Sequence, residues 1–200
     1  MKESFDEIRE YGSDGESLVY GCIRGNEKIV FIKAGLGGDH IGYENKYMRI
    51  ACSLYEKYGC TVISVSNPNE KQWGVEDDAA ILNAVIQSYA LKSPELYLFG
   101  ASNGCTKGLM LANKIVFRRM VLVNMPLTIN FHRTKKLLFG IPETEVIAVY
   151  GEKDMTYPYA PLLEGKRSGL SVVRIQGADH QFIGMTDEFV ALAEMLFSKT

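Results

Sequence analysis

The 200-residue chain predicts an α/β fold, a mostly parallel twisted sheet of about seven or eight strands with helices on both faces. Three observations carry this. Short apolar runs alternate almost throughout with longer segments of helical periodicity, a pattern that implies right-handed crossovers. Some runs, such as Ile29-Val30-Phe31-Ile32 and Leu96-Tyr97-Leu98-Phe99, are apolar at every position, as expected of strands covered on both faces. Glycine-bearing loops follow several of them, and in such sheets ligands bind at the carboxyl ends of the strands.

Composition narrows the class. Hydrophobic residues make up 46% and charged residues 23%, which argues for a packed core and against disorder. The length is that of one domain, residues 1–200. A net charge of -2 gives no reason to expect nucleic acid or an anionic membrane as partner. No apolar run approaches the roughly 20 residues of a membrane span, and the charged opening Met1-Lys2-Glu3 has no signal-peptide core. Cys22, Cys52, Cys60 and Cys105 are scattered with no Cys-x-x-Cys pair. Reduced, buried thiols in a cytoplasmic protein are the expectation, rather than disulfides or zinc.

Taken in order, residues 8–11 read as a short strand before the Gly12-Ser13-Asp14-Gly15 turn. Residues 17–23 and 28–33 read as two strands joined by Arg24-Gly25-Asn26-Glu27. The glycine-rich loop Ala34-Gly35-Leu36-Gly37-Gly38 follows. Tyr47, Ile50, Ala51, Leu54 and Tyr58 then recur at helical spacing up to Gly59. Residues 61–66 form the next strand, closed by Asn67-Pro68-Asn69. A second amphipathic helix carries Val75, Ala79, Leu82, Ile86 and Tyr89, with Glu76, Asp77 and Asp78 at its positive end. Beyond Pro94, the Leu96–Phe99 run leads into Gly100-Ala101-Ser102-Asn103-Gly104 and a third helix. Strands follow at 120–123, 146–150 and 172–175, where Arg174 suits a half-solvated edge. Phe189, Leu192, Ala193 and Leu196 mark a closing helix. Residues 124–145 form a short insertion of mixed character containing Pro126, His132, Lys135, Lys136, Gly140 and Pro142.

Reactive residues stand just after three of the strands: Ser102, Asp154 in Tyr150-Gly151-Glu152-Lys153-Asp154, and His180 in Gly177-Ala178-Asp179-His180. A serine hydroxyl is a poor nucleophile until an imidazole takes its proton, and the imidazole needs a carboxylate to fix its tautomer. Serine on a tight strand-to-helix turn, flanked by small residues, is how a hydroxyl is presented above a sheet. The chain order Ser, Asp, His matches one of the known arrangements of this trio.

Five motifs in this order resemble the α/β-hydrolase superfamily over nearly the whole chain. The strands around Asp14-Gly15 resemble its N-terminal hairpins, and Ala34-Gly35-Leu36-Gly37-Gly38 its oxyanion loop. Gly100-Ala101-Ser102-Asn103-Gly104 resembles the nucleophile elbow, Gly151-Glu152-Lys153-Asp154 the acid loop, and Gly177-Ala178-Asp179-His180 the histidine loop. Where the family often has His-Gly at the start of the oxyanion loop, this chain has Ala34-Gly35, which bears on the stiffness of the loop more than on the reaction. The resemblance implies a serine hydrolase of carboxylic esters or thioesters working through an acyl-enzyme on Ser102, with His180 as base and Asp154 as its orienter. It also implies an oxyanion hole from the backbone N–H groups of Asn103 and Leu36, no cofactor, and a small-molecule acyl substrate; Asp39, His40 and His180 are metal-ligand types, but no ligand spacing supports a metal. Residues 124–145 fill the position of the family's lid domain and are too few to make one, so an open site is expected.

Alternatives stand beside these assignments. Glu152 is a rival acid, and Asp179 a weaker one. His40 follows the oxyanion loop and reads as structural or exposed; His132 reads as solvated, and Cys105 as a core thiol. Gly35, Met125, Tyr157 and Phe182 are candidates for the substrate pocket. The competing class of function is a non-catalytic binding or scaffold protein on the same fold.

Overall fold

The computed structural model describes residues 2–13, 16–68, 73–128, 131–141 and 143–198. The Asp14-Gly15 turn, Asn69 and Pro142 of the sequence reading lie outside these residues. Eight strands form one sheet: β1 (Glu7–Ser13), β2 (Glu16–Ile23), β3 (Asn26–Lys33), β4 (Cys60–Val65), β5 (Glu95–Ala101), β6 (Arg119–Val123), β7 (Glu145–Gly151) and β8 (Leu170–Ile175). Their spatial order is β1-β2-β4-β3-β5-β6-β7-β8. β1 and β2 run antiparallel at one end, and β4 through β8 are parallel with β3. β8 is the far edge, where Arg174 was expected.

The continuous apolar runs split by period two between two cores. Ile29, Phe31 and Leu98 face one side of the sheet, where they meet Leu82 and Val85 of α2 (Val75–Ser88) and Leu109 of α3 (Asn103–Ala112). Val30, Ile32 and Phe99 face the other, against Ile50 and Leu54 of α1 (Lys46–Tyr58) and Phe189 near the carboxyl terminus. Each such side chain taken fully out of water stabilises the fold by roughly 1.5–3 kcal/mol, which is why every position of a central strand is apolar. α1 stops at Gly59, whose φ of 66° admits the left-handed cap while its N–H bonds the Tyr55 carbonyl at 2.8 Å.

Two elements differ in detail from the sequence reading. The closing helix is α-helical only over Thr186–Ala191 (α5) and tightens to a 3-10 turn over Leu192–Leu196, with Phe189, Leu192, Ala193 and Leu196 all buried. A 3-10 segment, Tyr157–Leu163, lies between β7 and β8, where Pro158 and Pro161 prevent a longer helix. The 124–145 segment holds one short helix, α4 (Phe131–Phe139), pinned to the end of α3 by the Asn113 side-chain amide, which donates to the Leu137 carbonyl at 3.0 Å. Among the described residues, no helix is long and apolar enough to cross a membrane.

Candidate active site

Ser102 ends β5 and begins α3 with φ 50° and ψ −123°, a conformation that non-glycine residues occupy only at a cost of about 1–3 kcal/mol. What holds it there is packing on both sides. The Ser102 amide bonds the Val123 carbonyl of β6 at 2.8 Å. Behind it, a Cβ on Gly104 would stand 2.6 Å from the Ala34 carbonyl oxygen and closer still to that of Lys33. Only glycine lets the first turn of α3 lie against the end of β3. The hydroxyl is thereby lifted clear of the sheet.

The imidazole of His180 stands over it, with Nε2 2.9 Å from the Ser102 Oγ. On its far side Nδ1 meets Oδ2 of Asp154. The Asp154 carboxylate is 3% exposed, and its other oxygen accepts the Thr156 amide at 2.6 Å and the Thr156 hydroxyl. Burial alone would raise its pKa, but the bonds from His180 and Thr156 outweigh burial and hold it below the ordinary aspartate value. An ionised carboxylate only accepts hydrogen bonds, so the proton of a neutral imidazole sits on Nδ1 and Nε2 is left as an acceptor for the serine hydroxyl.

The rival acids are turned elsewhere. Glu152 is exposed and accepts the Gly177 amide at 2.9 Å. Asp179 accepts the amides of Gln181 and Ile183, both at 3.0 Å, and so shapes the histidine loop. His40 is buried against the Phe5 ring, 5.7 Å between centroids, and among the described residues neither ring nitrogen has a hydrogen-bond partner; burial lowers its pKa. His132 is exposed on α4, and Cys105 is fully buried, its thiol pKa pushed well up by burial.

A cleft of about 380 Å³ opens beside Ser102 and His180. Gly35 and Leu36 line it, as do Lys46 and Tyr47 from the start of α1. A Cβ on Gly35 would lie 3.3 Å from the Ser102 Cβ, so the loop backbone runs against the serine. Leu36 comes next in the loop, and Asn103 opens α3. Three pocket candidates require correction, because Met125, Tyr157 and Phe182 do not line this cleft. Met125 is fully buried in the core on the α2–α3 side, and Tyr157 packs partly buried against that same core. Phe182 is buried edge-on to Phe189 at 5.2 Å, beneath the histidine loop. Position after a strand sets a residue's height above the sheet, but not which way its side chain turns.

Two buried asparagines that the sequence reading passed over tie these loops together. Asn67 donates from its side chain to the Ala34 carbonyl and to Asn103 Oδ1, each at 3.0 Å, while its backbone pairs with Gly37 and Gly38 at 2.8 Å. It therefore joins the 34–38 loop to the elbow. Asn124, with φ 51°, accepts the Gly151 amide at 2.9 Å and donates to the carbonyls of Asp179 and His180 at 3.2 and 3.1 Å. It joins the acid loop to the histidine loop. Beneath the 34–38 loop, Lys33 and Asp78 form a buried pair at 2.6 Å, with Lys33 also donating to the Ser66 carbonyl at 2.9 Å. Burial lowers the Lys33 pKa and raises that of Asp78, and their contact opposes both shifts.

A sheet in this order, with its two antiparallel strands at one end and these loops above its parallel strands, defines the α/β-hydrolase fold. Solved structures agree. Est1E from Butyrivibrio proteoclasticus is similar with a TM-score of 0.72 at 12% identity, covering 94% of this chain and 96% of that one. An alpha-beta serine hydrolase homologue from Coxiella burnetii gives 0.71 at 18% identity, covering 99% and 100%. XC6422 from Xanthomonas campestris, described as a serine hydrolase without a lid, gives 0.68 at 14% identity, covering 98% of each chain. No protein-family model matches the chain, and no curated protein does.

Proposed function

We propose that the protein is a one-domain serine hydrolase of carboxylic esters or thioesters. The observation that carries the reading is the unbroken line of contacts from buried Asp154 through His180 to the strained Ser102 hydroxyl. In the forward step His180 Nε2 takes the hydroxyl proton as Oγ attacks the substrate carbonyl. The negative charge that forms on the carbonyl oxygen is met by the backbone N–H groups of Asn103 and Leu36, each worth about 3 kcal/mol of barrier. Collapse expels the alcohol or thiol, which receives the proton from His180, and leaves an acyl-serine. Water then attacks with His180 again as base, and the released acid restores the hydroxyl. Asp154 holds the Nδ1–H tautomer and stabilises the imidazolium in both halves.

The substrate range rests on the openness of the site. None of the described residues of 124–145 lines the cleft, which fits an open site without a lid. Similar structures include a thioesterase domain from the curacin biosynthetic pathway and an esterase domain from a Rhodothermus marinus protein, so both bond types belong in the test. The experiment is labelling with a fluorophosphonate, followed by turnover of p-nitrophenyl esters and acyl-CoA thioesters of graded length. Labelling and turnover that vanish in Ser102→Ala are expected. A folded wild type that neither labels nor turns over any of them would favour the scaffold reading instead.

A further inference from the structure

Lys46 is the first residue of α1, lines the cleft that holds Ser102 and His180, and is 6% exposed. A buried ammonium ordinarily has a carboxylate beside it, because taking a lone charge out of water is costly. Among the described residues none pairs with it. The three acidic side chains in its neighbourhood are committed to other donors. Asp39 accepts the Ile41 and Gly42 amides at 3.0 and 2.5 Å, Asp179 accepts those of Gln181 and Ile183, and Glu44 accepts the Thr186 hydroxyl. What touches the ammonium is the Gln181 carbonyl at 3.4 Å and the faces of Phe189 and Tyr47, 4.4 and 5.6 Å from the ring centroids. One long hydrogen bond occupies one of three N–H groups, and aromatic faces offer only a diffuse negative potential. Burial lowers the Lys46 pKa, with Asp179 and Glu44 opposing from further off.

Its position is fixed relative to the reacting groups. Gln181 follows His180 directly, so the charged head abuts the histidine loop. Tyr47, the next residue of the helix, hydrogen-bonds the backbone of Gly35, which also lines the cleft. A Cβ on Gly42 would lie 3.0 Å from the Lys46 Cγ, so the loop before α1 packs against the stem and limits where the head can go. Among the described residues that line the cleft with Ser102 and His180, Lys46 is the one lysine or arginine, and no carboxylate pairs with it directly.

We infer that Lys46 is an anion subsite, and that the substrate is an ester or thioester carrying a carboxylate on its acyl or alcohol part, which pairs with the Lys46 ammonium. The inference rests on the hydrolase reading and deepens it. It is tested by kcat/KM ratios for two matched pairs. The first is mono-p-nitrophenyl adipate against p-nitrophenyl hexanoate, with the anion on the acyl side. The second is 3-carboxyphenyl acetate against phenyl acetate, with the anion on the alcohol side. Wild type is expected to favour the anionic member of one pair by about tenfold or more, the usual reach of a hydrogen bond to a charged group. That ratio should fall to about one in Lys46→Met and be largely kept in Lys46→Arg. The wild-type ratio does not depend on whether a variant folds. Ratios of one or below for both pairs in wild type overturn the subsite, as does a preference unchanged in Lys46→Met. Turnover of the neutral esters that survives in Ser102→Ala would sink the hydrolase reading instead, so the two failures are distinct.

Discussion

Asp154→Asn tests the relay where its geometry is most constraining. In the folded protein Oδ1 of Asp154 receives two donors from Thr156, and the backbone amide among them, at 2.6 Å, cannot turn away. An asparagine must therefore keep its oxygen toward Thr156 and present its NH2 to His180 Nδ1. That nitrogen then becomes an acceptor, the proton moves to Nε2, and the imidazole faces Ser102 with a donor where a base is needed. Nothing in the volume or packing changes, so the loss is chemical. A wrong tautomer costs about 10³–10⁴ in kcat, or about 4–5.5 kcal/mol at 1.36 kcal/mol per factor of ten. The assay is steady-state hydrolysis of a p-nitrophenyl ester, with thermal unfolding to show that the variant is folded. Activity within tenfold of wild type, or a large loss in Glu152→Gln instead, would refute the assignment. The same substitution has a pH signature in stability. The folded pKa of Asp154 is lowered, so its contribution is complete above the ordinary aspartate value of about 3.9 and is lost as pH falls through the lower folded value. The stability gap between wild type and Asp154→Asn should be widest near neutrality and close as acid is added below about pH 4.

Three further outcomes are expected. Ser102→Gly removes the strain at φ 50° that Ser102→Ala retains, so the glycine variant should be more stable than the alanine variant by about 1 kcal/mol, some 2–4 °C in Tm. Equal melting temperatures would show that the turn stores no strain. Asn124→Gly keeps the backbone conformation but strands the Gly151 amide and frees the histidine loop. A stability loss of about 1–3 kcal/mol should accompany a fall in kcat that exceeds any rise in KM, measured by urea unfolding and ester kinetics. Lys33→Met takes the ion-pair partner from buried Asp78 and should cost about 3–5 kcal/mol, much of it recovered in Lys33→Met with Asp78→Leu. A double variant no better than the single would show that the pair contributes more than the burial of its charges removes.

Much of the architecture was legible because it rests on local signals. Continuous apolar runs at 29–32 and 96–99 marked central strands, and Arg174 marked an edge. Ser102, Asp154 and His180 were legible as a set because each follows a strand of one parallel sheet, and adjacent ends of such a sheet bring distant residues together. Met125, Tyr157 and Phe182 were misread for the same reason: being near a strand end does not say whether a side chain turns into the cleft or under the loop. Asn67 and Asn124 carried only the signal of a polar residue ending a strand, which reads as a turn. Lys46 opens a helix whose apolar spacing told which face is buried, and a lysine there gave no warning that it would be buried too.

The two asparagine clamps have a consequence for how the protein would respond to its surroundings. Carboxamides and peptide groups do not titrate in the range where proteins stay folded, so these joints between the loops are indifferent to acidity. A loop movement that follows acidity would then trace to the carboxylates that also hold the histidine loop, Asp179 and Glu152, and not to the joints made by Asn67 and Asn124.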